Sequence, residues 1–567
     1  MGTSKTPALL KSPFLTPRRV SSLHSIRSNP SLRSTSRQSL LESDYGDDEI
    51  IVEPEHKSNV IGCTANLITA IIGAGIIGIP SAMNKTGLVA GWFLIILSAT
   101  LGCKSLTMLV ETAKHVDVHS YELLCEAVFG RFGWVGCNIM MFLMSYGPML
   151  SYMILVKDTL GTVLNVDSEN ALVVSSILVM LPLCLQRDVA DLAKTSRVSV
   201  LFDIGLVYIV AKFSPTSETL EAAGGITPVI SHSIFRPKTC FIGLGILSFA
   251  FSCQHSSLII AGSLKNPTRE RWSRVSTAAL TFCSILGLIM GTSGYLGFTE
   301  NTDGNILNNF AIPSEDDTST AARAANIARA LLSCTMFAVY PIEHFVARHV
   351  VMTNLFVGRQ AHEGDDHTVL DRWDRRAAIT VILFSSSLYC ALKFNDVGLV
   401  LAWTGAVAAS TLSYIVPGML YLGVNGTEFL DSVEFRWGFD SLSDGSASVF
   451  QTLLWYLLLM PIWCGIASTG SRSVAAHEAK KALMSPTEYR LGNIIHKRKV
   501  YDAVATASIV ESQSKSMLND TIDFGEEAEE DPLDEGVSAW DFVVSIFFII
   551  FGVLALVAGV YSICTES

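Results

Sequence analysis

The chain has 567 residues, half of them hydrophobic and only 16% charged, with a positive mean hydropathy and a formal charge of −12. Soluble domains carry about a quarter charged residues, so this composition excludes an ordinary array of soluble domains. The negative charge gathers in loops and a late acidic stretch and points to no nucleic-acid partner, while the twelve cysteines stand singly, with no C-x-x-C pair to indicate a zinc site or a disulfide framework.

Residues 1–57 read as a disordered cytoplasmic tail. Met1 to Leu41 is rich in serine, Lys and Arg and holds no acid, and Glu42 to Glu55 then turns acidic; neither part has the apolar surface to build a core. Phosphorylation of the serines would erase the local positive charge, so the tail is assigned to regulation or targeting. A bilayer core needs about 20 mostly apolar residues in helix. Ten such runs follow, near 59–83, 88–113, 133–160, 171–185 (short), 192–213, 240–263, 274–298, 322–352, 373–393 and 396–422, and another lies near 539–562. The predicted organisation is a transporter core over 58–425 (spans 1–10), an insertion over 426–536 and a last transmembrane helix within 537–567, about eleven membrane helices in an all-α integral membrane protein.

Orientation follows from Lys and Arg. With the tail in the cytoplasm, the loop after span 4 (Arg187, Lys194, Arg197) and the loop after span 6 (Lys265, Arg269, Arg271, Arg274) fall inside. The loops predicted outside, 161–170 and 299–320, carry no cation. Within the insertion, 449–468 is apolar enough to span, but the stretch after it holds Arg472, Lys480, Lys481, Arg490 and Lys497–Lys499 flanking Arg498. An interfacial or re-entrant helix fits these charges better than a crossing. Glu511 to Glu535 is dense in acid and reads as disordered. The sequon Asn425-Gly426-Thr427 falls in the cytoplasm and is expected to stay unmodified.

Spans 1 and 6 are poor continuous helices. Span 1 reads NVIGCTANLITAIIGAGIIGIPSAM, with Gly73, Gly75, Gly78 and Pro80; span 6 has Gly243 and Gly245, then Ser252, Gln254, His255, Ser256 and Ser257. Glycine weakens a helix and proline removes a hydrogen bond. Freed backbone groups in a membrane must line a cavity or meet a ligand. Paired interruptions at corresponding positions of two halves point to a transporter's midplane site, where half-helix amino ends meet a carboxylate and carboxyl ends suit a cation. The competing reading is that the glycines only let helices approach closely.

At IIGAGIIGIPSAM the chain resembles the sodium-coupled neutral amino acid transporter family, within the amino acid/auxin permease superfamily that includes vacuolar amino acid transporters. LPLCLQRDVADLAK after span 4, SFAFSCQHSSLIIAGSLKNPTRERWSR through span 6, GYLGF after span 7 and YPIEHFVARHV in span 8 carry the same resemblance, which extends over roughly residues 57–425. It implies a LeuT-like five-plus-five inverted repeat, discontinuous spans 1 and 6, an eleventh helix and alternating access, with a neutral amino acid as the substrate, no cofactor and H+ or Na+ as the coupling ion. By position, the substrate carboxylate would meet the backbone at Gly73, Ala74 and Gly75. Its amino group would face carbonyls near Ser248, Phe249 and Ala250, with Tyr146 or Tyr152 closing the pocket.

The ion site departs from the family pattern. Sodium-driven members resemble one another in an Asn on span 1 and a Thr on span 8; here Thr69 and Val339 stand at those positions, with Thr335 one turn before the valine. That raises proton coupling. Asp203, near the middle of span 5, is a carboxyl where a charge costs at least about 2.5 kcal/mol and is a candidate proton carrier. The ion-coupling candidates are Thr69, Ile72 at the carboxyl end of the first half of span 1, Thr335 and Asp203, with His255 as a second titratable group. Glu343 and Arg348 are expected to form a salt-bridged gate or a cytoplasmic anchor. The alternative function is an amino-acid sensor signalling through the tail and insertion. A channel and an enzyme find no motif: HEAKK at His477 lacks the second histidine of a zincin. Vacuolar, lysosomal and plasma membranes all remain open.

Overall fold

The computed structural model describes residues 59–73, 75–118, 120–186, 193–265, 268–312, 319–355, 373–437, 460–483 and 539–566. The predicted tail, Ala74, residues 449–459 of the apolar segment 449–468 and the acidic stretch Glu511 to Glu535 lie outside them. Every element among the described residues is helical.

Span 1 is two helices, Val60–Ile72 and Gly75–Thr86, meeting at a 50° bend. Spans 2 to 5 are Leu88–His115, Tyr121–Leu164, Ser168–Cys184 and Ala193–Phe213. Span 6 is again two helices, Cys240–Ala250 and Gln254–Gly262. Spans 7 to 10 are Arg269–Phe298, Thr320–Leu355, Trp373–Lys393 and Val397–Val424, and the last helix is Ala539–Glu566. Among the described residues nine helices are long and apolar enough to cross a membrane, the bent pair of span 1 makes a tenth, and Ser168–Cys184 is the short one. The starts are written in polar caps. Asn59, Asp167, Thr268 and Asp396 each accept a hydrogen bond from the backbone N–H three residues on, satisfying one of the donors that a helix start leaves free.

Five crossings separate the two breaks, so a second set of five necessarily begins on the opposite face of the membrane. The packing obeys that inversion. The first half of span 1 lies on span 5 as the first half of span 6 lies on span 10, span 5 packs on span 8 as span 10 packs on span 3, and spans 3 and 8 pack on each other. The architecture is therefore the expected inverted five-plus-five repeat with broken spans 1 and 6. The last helix buries Phe542, Phe548, Ile549 and Ala555 and exposes Val543, Phe547, Ile550, Leu554, Val557 and Tyr561. That exposed stripe recurs every three to four residues, as one lipid-facing side of a helix should.

In the insertion, Gly426–Trp437 and Met460–Leu483 are helical. The second continues well past the apolar run, through Arg472, Lys480 and Lys481. It packs on span 10 at Gly423, where a Cβ on Gly470 would stand 2.3 Å from the Gly423 Cα, and on the start of span 3, where Ser473 Oγ donates to Ala127 O at 2.6 Å.

Candidate functional site

The break in span 1 is set by Gly73. Its φ of +24° and ψ of −137° lie where residues with a Cβ are strained. Pro80, expected to contribute, sits inside the second helix instead, with its ring against Gly294 of span 7. A Cβ on Gly73 would lie 2.7 Å from the Tyr152 hydroxyl of span 3, so this tyrosine reaches the break. A Cβ on Gly75 would lie 2.6 Å from the Cα of Ala250. The amino end of the second half of span 1 thus rests on the carboxyl end of the first half of span 6. The first turn of a helix leaves N–H groups unpaired and the last turn leaves carbonyls unpaired. Unpaired backbone donors and unpaired backbone acceptors therefore lie side by side at one crossing.

The carbonyl end can be followed atom by atom. Phe251 N donates to Leu247 O at 3.1 Å, and Ser252 N, which an unbroken helix would give to Ser248 O, donates to Phe249 O at 3.1 Å. The Ser248 carbonyl is thereby released from the helical ladder. The Ser248 side chain lies near Tyr414 of span 10. Ser252 is also held through its hydroxyl, in a buried knot with Gln254 and Ser413 described below.

The other glycines do the bland job. Cβ atoms on Gly243 and Gly245 would meet Thr86 and Ala82 O of span 1 and Ala402 O of span 10, and Gly405 of span 10 rests on Gly245 O. Span 10 is wound as π-helix over Gly405–Ala409 and Thr411–Ile415, facing span 6; such turns recur at functional sites. Tyr121 closes one carbonyl left by the second, donating to Leu412 O at 2.7 Å.

Two ion-coupling candidates come together. Asp203 and Thr335 are 2% and 1% exposed and face one another between spans 5 and 8. Asp203 Oδ1 and Thr335 Oγ1 make no hydrogen bond, so the pair holds unspent polar capacity in the protein interior. Thr69 is on the first half of span 1, which packs on span 5, and its hydroxyl donates to Ala65 O at 3.0 Å. Ile72 is buried as the last residue of that half-helix. Among the described residues no group of three His, Cys, Asp or Glu side chains is arranged to hold a metal ion.

Two expectations need correction. Tyr146 does not face the break: its hydroxyl donates to Ser386 Oγ of span 9 at 3.0 Å and its ring stacks on Phe142. Residues six apart lie about 120° apart around a helix, so Tyr146 and Tyr152 cannot both look at span 1. Glu343 and Arg348 do not pair with each other either, because five residues put them about 140° apart. Glu343 faces His255, with Nε2 and Oε2 3.5 Å apart in a buried contact between spans 6 and 8. Arg348 donates to Cys184 O at 2.7 Å and Thr380 Oγ1 at 3.0 Å, tying span 8 to spans 4 and 9. Thr335 and Glu343 are two turns apart on one face of span 8, so that face serves both buried contacts. Ala74 lies outside the described residues. The residues that sequence reasoning passed over are Ser105 and Ser413, whose roles depend on partners from distant spans, and Gln254, which it took only as part of a polar run.

The family model described as "Transmembrane amino acid transporter protein" matches residues 56–440. Curated relatives include the "Putative sodium-coupled neutral amino acid transporter 11" of Danio rerio, 30% identical over 64% of this chain and 79% of that protein. They also include the vacuolar amino acid transporter 2 of Saccharomyces cerevisiae, 28% identical over 65% of this chain and 77% of that protein. Among solved structures, Mhp1, a nucleobase-cation-symport-1 family transporter, is similar over 77% of this chain and 96% of its own at 12% identity, with a TM-score of 0.47, too low to carry an argument.

Proposed function

This chain belongs to the transmembrane amino acid transporter family, whose members are membrane transporters rather than enzymes, and from that premise we propose that it carries neutral amino acids by alternating access. The single observation behind this reading is the crossing at Gly75 and Ala250, where two opposed half-helix ends meet. In this reading the amino end at Gly73–Gly75 receives the substrate carboxylate, the carbonyls of Ser248 to Ala250 receive its ammonium, and Tyr152 closes the break in place of Tyr146. A neutral side chain then needs no charged partner of its own.

The coupling ion in this reading is the proton, carried by Asp203 with Thr335 as the facing hydroxyl. Sodium is the second reading, favoured by the relative named as sodium-coupled and by the same two unspent oxygens; Thr69 and the Ile72 carbonyl are its remaining candidate ligands. The tail and the insertion lie in the cytoplasm. The yeast relative supports a vacuolar membrane, where a proton gradient is at hand. The substrate site is tested by uptake of labelled neutral amino acids into proteoliposomes. Wild type should show saturable uptake, and Gly75→Val, which forces a branched side chain onto Ala250, should lower it by about tenfold or more while remaining monodisperse in detergent. Wild-type uptake by that variant would remove the crossing from the substrate site. Amino acid binding without uptake in the wild type would turn the reading toward a sensor.

A further inference from the structure

The break in span 6 is held by a side chain that belongs to neither candidate ion site. Gln254 is the first residue of the second half-helix and is fully buried. Its Oε1 receives Cys253 N at 3.0 Å, Ser252 Oγ at 3.0 Å and Ser413 Oγ at 2.6 Å, and its Nε2 reaches Ser105 Oγ at 3.4 Å. Ser252 and Ser413 hydroxyls also touch each other. The orientation of the amide is not ambiguous: a backbone N–H can only donate, so the atom facing Cys253 N is the oxygen. Each serine carries one proton, so one hydroxyl donates to Oε1 and the other donates to it or to its neighbour. Three spans are therefore joined at one amide: span 2 by Ser105, span 6 at its break by Ser252 and Gln254, and a π-turn of span 10 by Ser413.

Ser252 is the link to the substrate site. Its hydroxyl is in the knot and its N–H holds Phe249 O, the bond that frees the Ser248 carbonyl. We propose that Gln254 is a positioning residue for substrate capture, fixing through Ser252 the direction of the carbonyls at Ser248, Phe249 and Ala250 that receive the substrate's ammonium group. The side chain does not touch the substrate; it folds back over the start of its own half-helix. This rests on the substrate site proposed above.

A positioning role separates from a merely structural one by which kinetic constant moves. Gln254→Ala removes the acceptor of Cys253 N and of at least one serine hydroxyl and frees the carbonyl end. Gln254→Glu keeps the length and the accepting oxygens, and Ser105 can turn its hydroxyl to donate to the second one. In proteoliposome counterflow, which needs no ion gradient, Gln254→Ala should raise KM by about tenfold with the maximal rate per folded protein little changed. Gln254→Glu should bring KM back toward wild type, and Ser413→Ala, which removes one donor, should fall between. An unchanged KM with a reduced maximal rate or reduced thermal stability overturns the proposal and leaves Gln254 a packing residue. If Gln254→Ala fails to fold, the KM of Ser413→Ala decides alone, an unchanged value again overturning it. If wild type shows no saturable counterflow, the substrate site itself fails; saturable wild-type counterflow with an unmoved KM in the variants defeats this proposal only.

Discussion

Glycines in the two broken spans do three different jobs, and only the three-dimensional structure separates them. Gly73 is required by backbone conformation, Gly75 by the approach of Ala250, and Gly243 and Gly245 by helix packing alone. A Gly73→Ala variant incurs backbone strain of about 1–3 kcal/mol and drives a methyl toward the Tyr152 hydroxyl. It should depress transport more than it depresses thermal stability, read as uptake rate against melting temperature. The two tyrosines of span 3 give a paired prediction. Tyr152→Phe removes the hydroxyl at the break and should raise KM, while Tyr146→Phe loses contacts with Ser386 and Cys390 on span 9, worth about 1 kcal/mol, and should leave KM alone. The sequence carried the glycine pattern plainly. It could not choose between Tyr146 and Tyr152, because that depends on how span 3 is rotated, which is decided by packing on spans 8 and 10.

At the scale of the element, apolar length made the eleven membrane helices legible, including the short Ser168–Cys184. What was not legible was the route of the chain through a polar run. SCQHSS reads as an interruption, yet its members part company: Ser252 and Gln254 join span 10, 159 to 161 residues away, and His255 meets Glu343 on span 8. Those partners lie in segments whose approach is a property of the whole bundle. Arg348 shows the same limit, since two of its three acceptors are carbonyls at the end of span 4, and a carbonyl leaves no mark in a sequence. The helix at Met460–Leu483 has a consequence for the sequon. Asn425 is buried and its Nδ2 donates to Tyr421 O at 3.0 Å, while Gly426 packs under Ala467 O. Glycosidase treatment should leave the electrophoretic mobility unchanged; a shift would contradict both this packing and the cytoplasmic assignment of the insertion.

For the whole molecule, the inverted repeat matters because it places one site between two halves that can rock against each other. The proposed substrate site lies where spans 1 and 6 cross, and Asp203 and Thr335 face each other between spans 5 and 8, with the first half of span 1 packed on span 5. In this proposal the first half of span 1, which ends at Gly73 and packs on span 5, is the physical means by which an ion at Asp203 would bias the substrate site. The measurement that bears most directly on this coupling is uptake of a labelled neutral amino acid by proteoliposomes under separately imposed proton and sodium gradients, with wild type beside Asp203→Asn. Accumulation driven by the proton gradient, abolished in Asp203→Asn while gradient-free counterflow persists, is the expected result. Accumulation driven by sodium and indifferent to the substitution would contradict it and return the coupling role to Thr69, Ile72 and Thr335.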